Sequence, residues 1–144
     1  MTDFAQDLVD LCRGFGMFER DWICSGTVTV QQCFVLQTLL ESPLEVRALA
    51  DAVGSSPSAM TRLVDGLVKR GWTQRVRSES DRRRVHVALT DDGRSEAARL
   101  RAMTNTAADT LLAAIPEEKR EQVIESMGLI RKAVADTAGK LSCC

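Results

Sequence analysis

The sequence has no tyrosine and a single histidine, His86. It contains no Gly-rich phosphate loop and no H-E-x-x-H, so neither a nucleophile-base pair nor a metal-hydrolase motif is legible in it, and catalysis is not expected. No apolar run approaches the roughly 20 residues of a membrane span, and the N-terminus opens without a basic n-region, which leads us to expect a cytoplasmic protein. The five cysteines are odd in number and include no C-x-x-C pair, which argues for reduced thiols and against a disulfide framework. Disorder is excluded as well. With 44% hydrophobic and 27% charged residues in 144, the chain can bury a core as one ordinary folded domain.

What is present is unevenly distributed. Between Arg62 and Arg84 stand eight Lys or Arg against three acids, a local balance of +5, so that the rest of the chain carries −6 within a net charge of −1. A basic segment in an acidic body suits an anionic partner held at one surface, although a charge cluster is also compatible with a merely solvated face.

Periodicity shows where that segment is mounted. Phe4, Leu8, Leu11, Phe15, Phe18 and Trp22 step by four and three, one stripe of an N-terminal helix. Thr29-Val30-Gln31-Gln32 has the form of a capping box and opens a second helix, which Pro43 closes. A short helix is expected from about Leu44 to Val53, with Gly54 as its left-handed exit. Next, Ser56 caps and Pro57 starts a helix over 57–70, followed by Gly71, with Met60, Leu63, Val64 and Leu67 facing inward. Ser58, Ala59, Thr61, Arg62, Asp65 and Lys69 are left facing outward. Two short helices joined by a tight turn, the second presenting small and basic residues, have the layout of a helix-turn-helix.

After Gly71 the period changes from 3.6 to 2. Trp72, Gln74 and Val76 alternate with Thr73, Arg75 and Arg77, and Val85, Val87 and Leu89 alternate with His86 and Ala88, giving a hairpin over 72–90 with a basic tip at 78–84. Such a hairpin behind a helix-turn-helix is a wing. Beyond it, Thr90 caps a long helix through Leu100, Met103, Ala107 and Leu111, and Pro116-Glu117-Glu118 opens a last one lined by Val123, Met127, Ile130 and Val134. The terminal stripes exceed what one small lobe can cover, and a second copy of the chain would cover them. The expected fold is mainly α, an α+β winged helix: one domain with a DNA-binding lobe at about 29–90 and long helices at about 1–28 and 91–144 forming a two-fold dimer interface. Phe4, Leu8, Leu11, Phe15, Phe18, Trp22, Ile130 and Val134 are assigned to that interface or its adjoining core.

The stretch L-A-D-A-V-G-S-S-P-S-A-M-T-R-L-V-D-G-L-V-K-R-G-W, followed by R-V-R-S-E-S-D-R-R-R-V-H-V-A-L-T-D-D-G, resembles the core of the MarR family of bacterial transcription regulators. The resemblance covers nearly the whole chain. It implies a homodimeric winged helix, usually a repressor released from a palindromic operator by a small ligand or by thiol chemistry. It places Ser58, Ala59, Thr61 and Arg62 on the recognition helix and matches Asp81 and Arg83 to the wing pair whose arginine enters the minor groove. Ser56 and Lys69 complete the helix's DNA-facing set. Arg62 is suited either to a guanine edge or to phosphate, and Arg83 to the negative potential of a narrow minor groove. Arg75, Arg77, Arg82 and Arg84 divide between phosphate contacts and solvated positions. Asp81 reads as a brace for its arginines.

Of the cysteines, Cys12 and Cys33 lie beside apolar stripes as small hydrophobes. Cys24 lies in the linker W-I-C-S-G-T-V-T, and Cys143 and Cys144 are adjacent at the C-terminus. If the terminal helices interleave as the resemblance implies, these three gather across the dimer as a thiol-sensing site for an oxidant, a soft metal or a metalloid such as arsenite. No cofactor is required. The alternatives are a regulator sensing a phenolic or other organic ligand, and a winged-helix module that contacts protein instead of DNA; eight bases in the segment speak against the latter.

Overall fold

The computed structural model describes residues 4–18 and 28–137, with only the helical path given for residues 15–18. The elements run α1 (Phe4–Phe18), α2 (Val30–Leu39), α3 (Val46–Val53), α4 (Pro57–Lys69), β1 (Thr73–Arg77), β2 (Val85–Leu89), α5 (Asp91–Ala113) and α6 (Glu117–Thr137). This is the winged helix expected from the pattern.

Local chemistry accounts for the element boundaries. The Thr29 hydroxyl accepts from the Gln32 amide at 3.2 Å while the Thr29 amide donates to the Gln32 side chain at 3.1 Å, completing the capping box of α2. At Gly54 (φ 72°) and Gly71 (φ 74°) the chain leaves α3 and α4 through the left-handed region that favours glycine. The start of α3 differs from expectation. Leu44 is not helical: its amide donates to the Val87 carbonyl at 3.1 Å and its carbonyl accepts from the Val87 amide at 2.7 Å, a bridge that holds it extended beside β2.

The core of the lobe is built from one face of each element: Val35, Leu36 and Leu39 of α2, Leu49 and Ala50 of α3, Met60, Val64 and Leu67 of α4, Val87 and Leu89 of β2, and Ala97 and Leu100 of α5 are all buried. Val46, Val53 and Leu63, also placed inward by periodicity, are half-buried at its margin. The hairpin pairs Thr73 with Leu89, Arg75 with Val87 and Arg77 with Val85. Directly opposed residues share a face, so Thr73, Arg75 and Arg77 lie on the Val87 side of the sheet and Gln74 and Val76 on the other. Thr73 is accordingly buried, and its hydroxyl has no hydrogen-bond partner among the described residues.

The neck of the wing is closed by Thr90. Its hydroxyl donates to the Gly71 carbonyl at 2.5 Å and accepts from the Gly93 amide at 3.0 Å, capping α5, while its amide donates to the Trp72 carbonyl at 3.1 Å. The L-T-x-x-G motif is therefore a weld between the two ends of the hairpin.

By compactness the chain divides after Ala102, and the first unit takes in the start of α5 because Gly93, Ala97 and Leu100 are buried with the lobe. Within that unit α1 keeps large apolar side chains outside: Phe4 is 70% exposed, and Leu8, Val9 and Leu11 are exposed as well. In the second unit Arg120 turns back onto the end of α5, donating to the Ile115 carbonyl at 3.0 Å and the Ala113 carbonyl at 3.3 Å, where its charge complements the helix dipole. No residue of α6 is fully buried; Ile124, Met127, Leu129 and Val134 are exposed and Ile130 is half-buried. Among the described residues no helix is long and apolar enough to cross a membrane.

Candidate nucleic-acid interface

The N-terminus of α4 is built by Ser56 and Pro57. The Ser56 hydroxyl accepts from the Ala59 amide at 3.2 Å and lies 3.3 Å from the Ser58 hydroxyl, while Thr61 donates to the Pro57 carbonyl at 3.0 Å. With Met60, Val64 and Leu67 consumed by the core, Ser56, Ser58, Ala59, Thr61, Arg62, Asp65 and Lys69 stand exposed on the opposite side. This helix carries no acid in its first turn, so the positive end of its dipole and its small side chains offer an electropositive, sterically open end.

The wing tip is a tight polar loop. The Ser78 amide donates to the Arg84 carbonyl at 3.0 Å, the Arg84 amide to the Asp81 carbonyl at 2.9 Å, and the Arg83 amide to the Asp81 carboxylate at 3.0 Å. Asp81 thus folds the backbone that displays Arg82 and Arg83, the geometry of a brace. Arg77, Ser78, Glu79 and Arg82 line a shallow concavity on this loop.

The basic residues fall into two groups. Arg75 and Arg84, expected among the phosphate contacts, have their guanidinium groups held by carboxylates: Arg75 by Asp65 at 2.7 Å, and Arg84 by Glu45 at 3.4 Å and Asp81 at 3.9 Å. The reason lies in the register, which turns Arg75 toward α4, and in the Leu44 bridge, which brings Glu45 beside the wing. His86 joins the same carboxylate, 3.8 Å from Glu45. Arg70 stacks over the Trp72 ring at 3.9 Å. By contrast Arg62, Lys69, Arg77, Arg82 and Arg83 enter no ion pair among the described residues. Sequence reasoning missed Asp65 and Glu45 as partners. An acid on the outward face of a basic helix was the signal available for Asp65.

The cysteines separate in the same way. Cys33 is buried in the core, where burial pushes its thiol pKa up, against the opposing effect of the Gln37 amide that donates to its sulfur at 3.1 Å. It is a packing residue. Cys12 is exposed on α1. Cys24, Cys143 and Cys144, like Trp22, lie outside the described residues, and among the described residues no cluster of three or more potential metal ligands occurs. The side chains of Phe15 and Phe18 also lie outside them.

A family model described as MarR family matches residues 28–85. Over 45 residues, 31% of this chain and 26% of that protein, the chain is 49% identical to the transcriptional repressor MprA of Escherichia coli K12. Its matches to curated relatives, named as transcriptional repressors or regulators, span 26% to 57% of their own length. Among solved structures it is similar to Streptococcus pneumoniae FabT in complex with DNA, with TM-score 0.80, 18% identity and coverage of 93% of this chain and 99% of that one. It is also similar to CouR from Rhodococcus jostii RHA1 bound to p-coumaroyl-CoA, with TM-score 0.76, 26% identity and coverage of 92% of each chain. The helix-turn-helix, the braced wing and the Thr90–Gly93 weld occupy the region that the MarR family model matches and its edge, so the likeness to that family falls on the candidate interface itself.

Proposed function

We propose that this protein is a cytoplasmic transcription repressor that binds palindromic duplex DNA as a homodimer, α4 entering the major groove and the wing reaching the adjacent backbone and minor groove. One observation carries this: Arg62, Lys69, Arg77, Arg82 and Arg83 stand exposed on α4 and the wing and enter no ion pair among the described residues, while the remaining bases of the segment have partners within the protein. Free cations on a helix face and a hairpin tip suit phosphate, with Thr61, Ser58 and Ala59 small enough to let the helix approach base edges. The exposed apolar faces of α1 and α6 support the dimer, and two-fold symmetry then requires half-sites about one helical turn apart.

The test is selection from a random duplex pool followed by salt titration. A recovered palindrome and a steep fall of affinity with salt are expected, and Arg83→Ala should weaken binding by about 1–3 kcal/mol while leaving the dimer intact. Equal affinity for the selected and unselected duplexes at physiological salt would remove the specificity claim. Full affinity of the Arg83 variant would remove the wing from the interface.

Two signals for release are supported by different observations. The cysteine content favours a soft metal, arsenite or an oxidant acting on Cys24 of one subunit with Cys143 and Cys144 of the other. The similarity to CouR, a protein solved with p-coumaroyl-CoA, favours an organic ligand. Replacing Cys24, Cys143 and Cys144 by Ser separates them: loss of release by arsenite and oxidants alone supports the first, and release by phenolic acids or their thioesters in parent and variant alike supports the second.

A further inference from the structure

We propose that Asp65 acts as a brake on indiscriminate DNA binding, holding the Arg75 guanidinium against α4 and withdrawing one cation per subunit from the phosphate-binding set. This role rests on duplex DNA being the ligand of α4 and the wing. Its basis is a geometric coincidence of two elements. The hairpin register places Arg75 opposite Val87, on the side of the sheet that faces the lobe, and from there its guanidinium meets the Asp65 carboxylate at 2.7 Å, closer than either carboxylate that holds Arg84. Asp65 follows Thr61 by four residues and Arg62 by three, so it shares their face of α4, and with that face against a duplex the pair would lie beside the phosphate backbone.

Both partners remain accessible, Arg75 at 38% and Asp65 at 50% side-chain exposure, so the pair is open to competition from an incoming phosphate. Taking Arg75 away, however, would leave an unneutralised carboxylate facing the DNA backbone. On a duplex that makes only phosphate contacts nothing offsets that repulsion, and Arg75 stays with Asp65. The five bases that enter no ion pair among the described residues bear the non-specific affinity, which is kept below what the eight bases of the segment would give.

The experiment measures affinity for a labelled mixed-sequence duplex as a function of salt, for the full-length parent and four variants. Asp65→Asn, which keeps the shape and removes the charge, should bind several-fold tighter at low salt and steepen the log-log salt slope by about 0.9 per subunit, one phosphate contact. Arg75→Ala alone should lower affinity, because it leaves the Asp65 carboxylate unneutralised beside the DNA, while keeping a near-parental salt slope, because the parent does not use Arg75 as a phosphate contact. The double variant should return to the parental slope, and Asp65→Glu, which retains the anion, should keep it. Thermal unfolding of each variant identifies any that has lost its fold; Arg75→Ala, on the sheet, tests the idea independently of α4.

An unchanged slope in folded Asp65→Asn would overturn the brake. So would a slope in Arg75→Ala reduced as far as in Arg83→Ala, since Arg75 would then already contact phosphate. A double variant that keeps the gain would assign it to the Asp65 charge alone and overturn the part played by Arg75. A folded parent with no salt-dependent affinity for any duplex would overturn the DNA-binding function itself.

Discussion

A methyl group on the Cα of Gly93 would lie 1.7 Å from the carbonyl oxygen of Trp72. The first turn of α5 is seated directly on the backbone that leads into β1, and only hydrogen fits between them. Gly93→Ala must therefore push α5 away from the Trp72 backbone and disturb both hydrogen bonds of the Thr90 hydroxyl. A loss of about 3 kcal/mol is expected, read as a lower urea midpoint with an unchanged slope. An alanine variant of parental stability would show that α5 does not seat on Trp72.

Thr73 offers the opposite case. Its hydroxyl is enclosed with no partner among the described residues, whereas valine has the same shape and no polar group to satisfy. Thr73→Val should stabilise the lobe by about 1 kcal/mol. Thermal unfolding measures this directly, and a destabilised valine variant would mean that the hydroxyl is bonded in solution.

Glu96 gives a pH dependence whose sign follows from its partner. Hydrogen bonds from Arg99, at 2.6 and 2.9 Å, hold the Glu96 carboxyl below the ordinary carboxylate range, with the charge of Arg99 adding to the effect against some desolvation. A carboxyl depressed in the folded state contributes stability at pH values above its unfolded pKa, and the contribution disappears as pH falls through the folded value. Arg99 is nearly half exposed, so the pair is worth little. Glu96→Gln should cost about 0.5 kcal/mol at pH 7. That difference should begin to narrow once pH falls below the ordinary carboxyl range of about 4, and close at more acidic pH. Urea midpoints of parent and variant at the two pH values would reveal a gap that fails to close.

The exposed apolar side chains at the two ends of the chain predict an assembly. Sedimentation equilibrium at micromolar concentration should return twice the chain mass. Leu8→Lys with Val134→Lys should yield a dissociated or aggregating species, because both positions are exposed in the isolated chain and demand a partner. A folded, monodisperse monomer of the parent would contradict the dimer and, with it, the two-fold operator.

Features written within a few residues of one another were legible in the sequence. The capping box at Thr29, the Ser56-Pro57 start of α4, the exits at Gly54 and Gly71 and the cap at Thr90 each depend on local backbone donors, and each stands where expected. The phase of β1 was harder. Thr73, Arg75 and Arg77 alternate with Gln74 and Val76, so neither face is plainly apolar, and the inward face is chosen by pairing with β2. Leu44 looked helical because it belongs to the same apolar series as Val46 and Leu49; its extended state depends on Val87, far along the chain. For the candidate site, the outward residues of α4 and the wing tip followed from periodicity, whereas Asp65–Arg75 and Glu45–Arg84 form only once the hairpin is folded.

Because Thr90 grips both Gly71 and Trp72, nineteen and eighteen positions back along the chain, the hairpin is a loop whose two ends meet at one point. Its neck does not depend on its length. Doubling such a loop adds only about 0.6 kcal/mol of closure entropy, so the tip between Ser78 and Arg84 is free to lengthen, shorten or exchange residues while the scaffold beneath it stays intact. Descendants of this chain can thus change what the tip presents by swapping a cassette, with the weld at Thr90 insulating the core from the change.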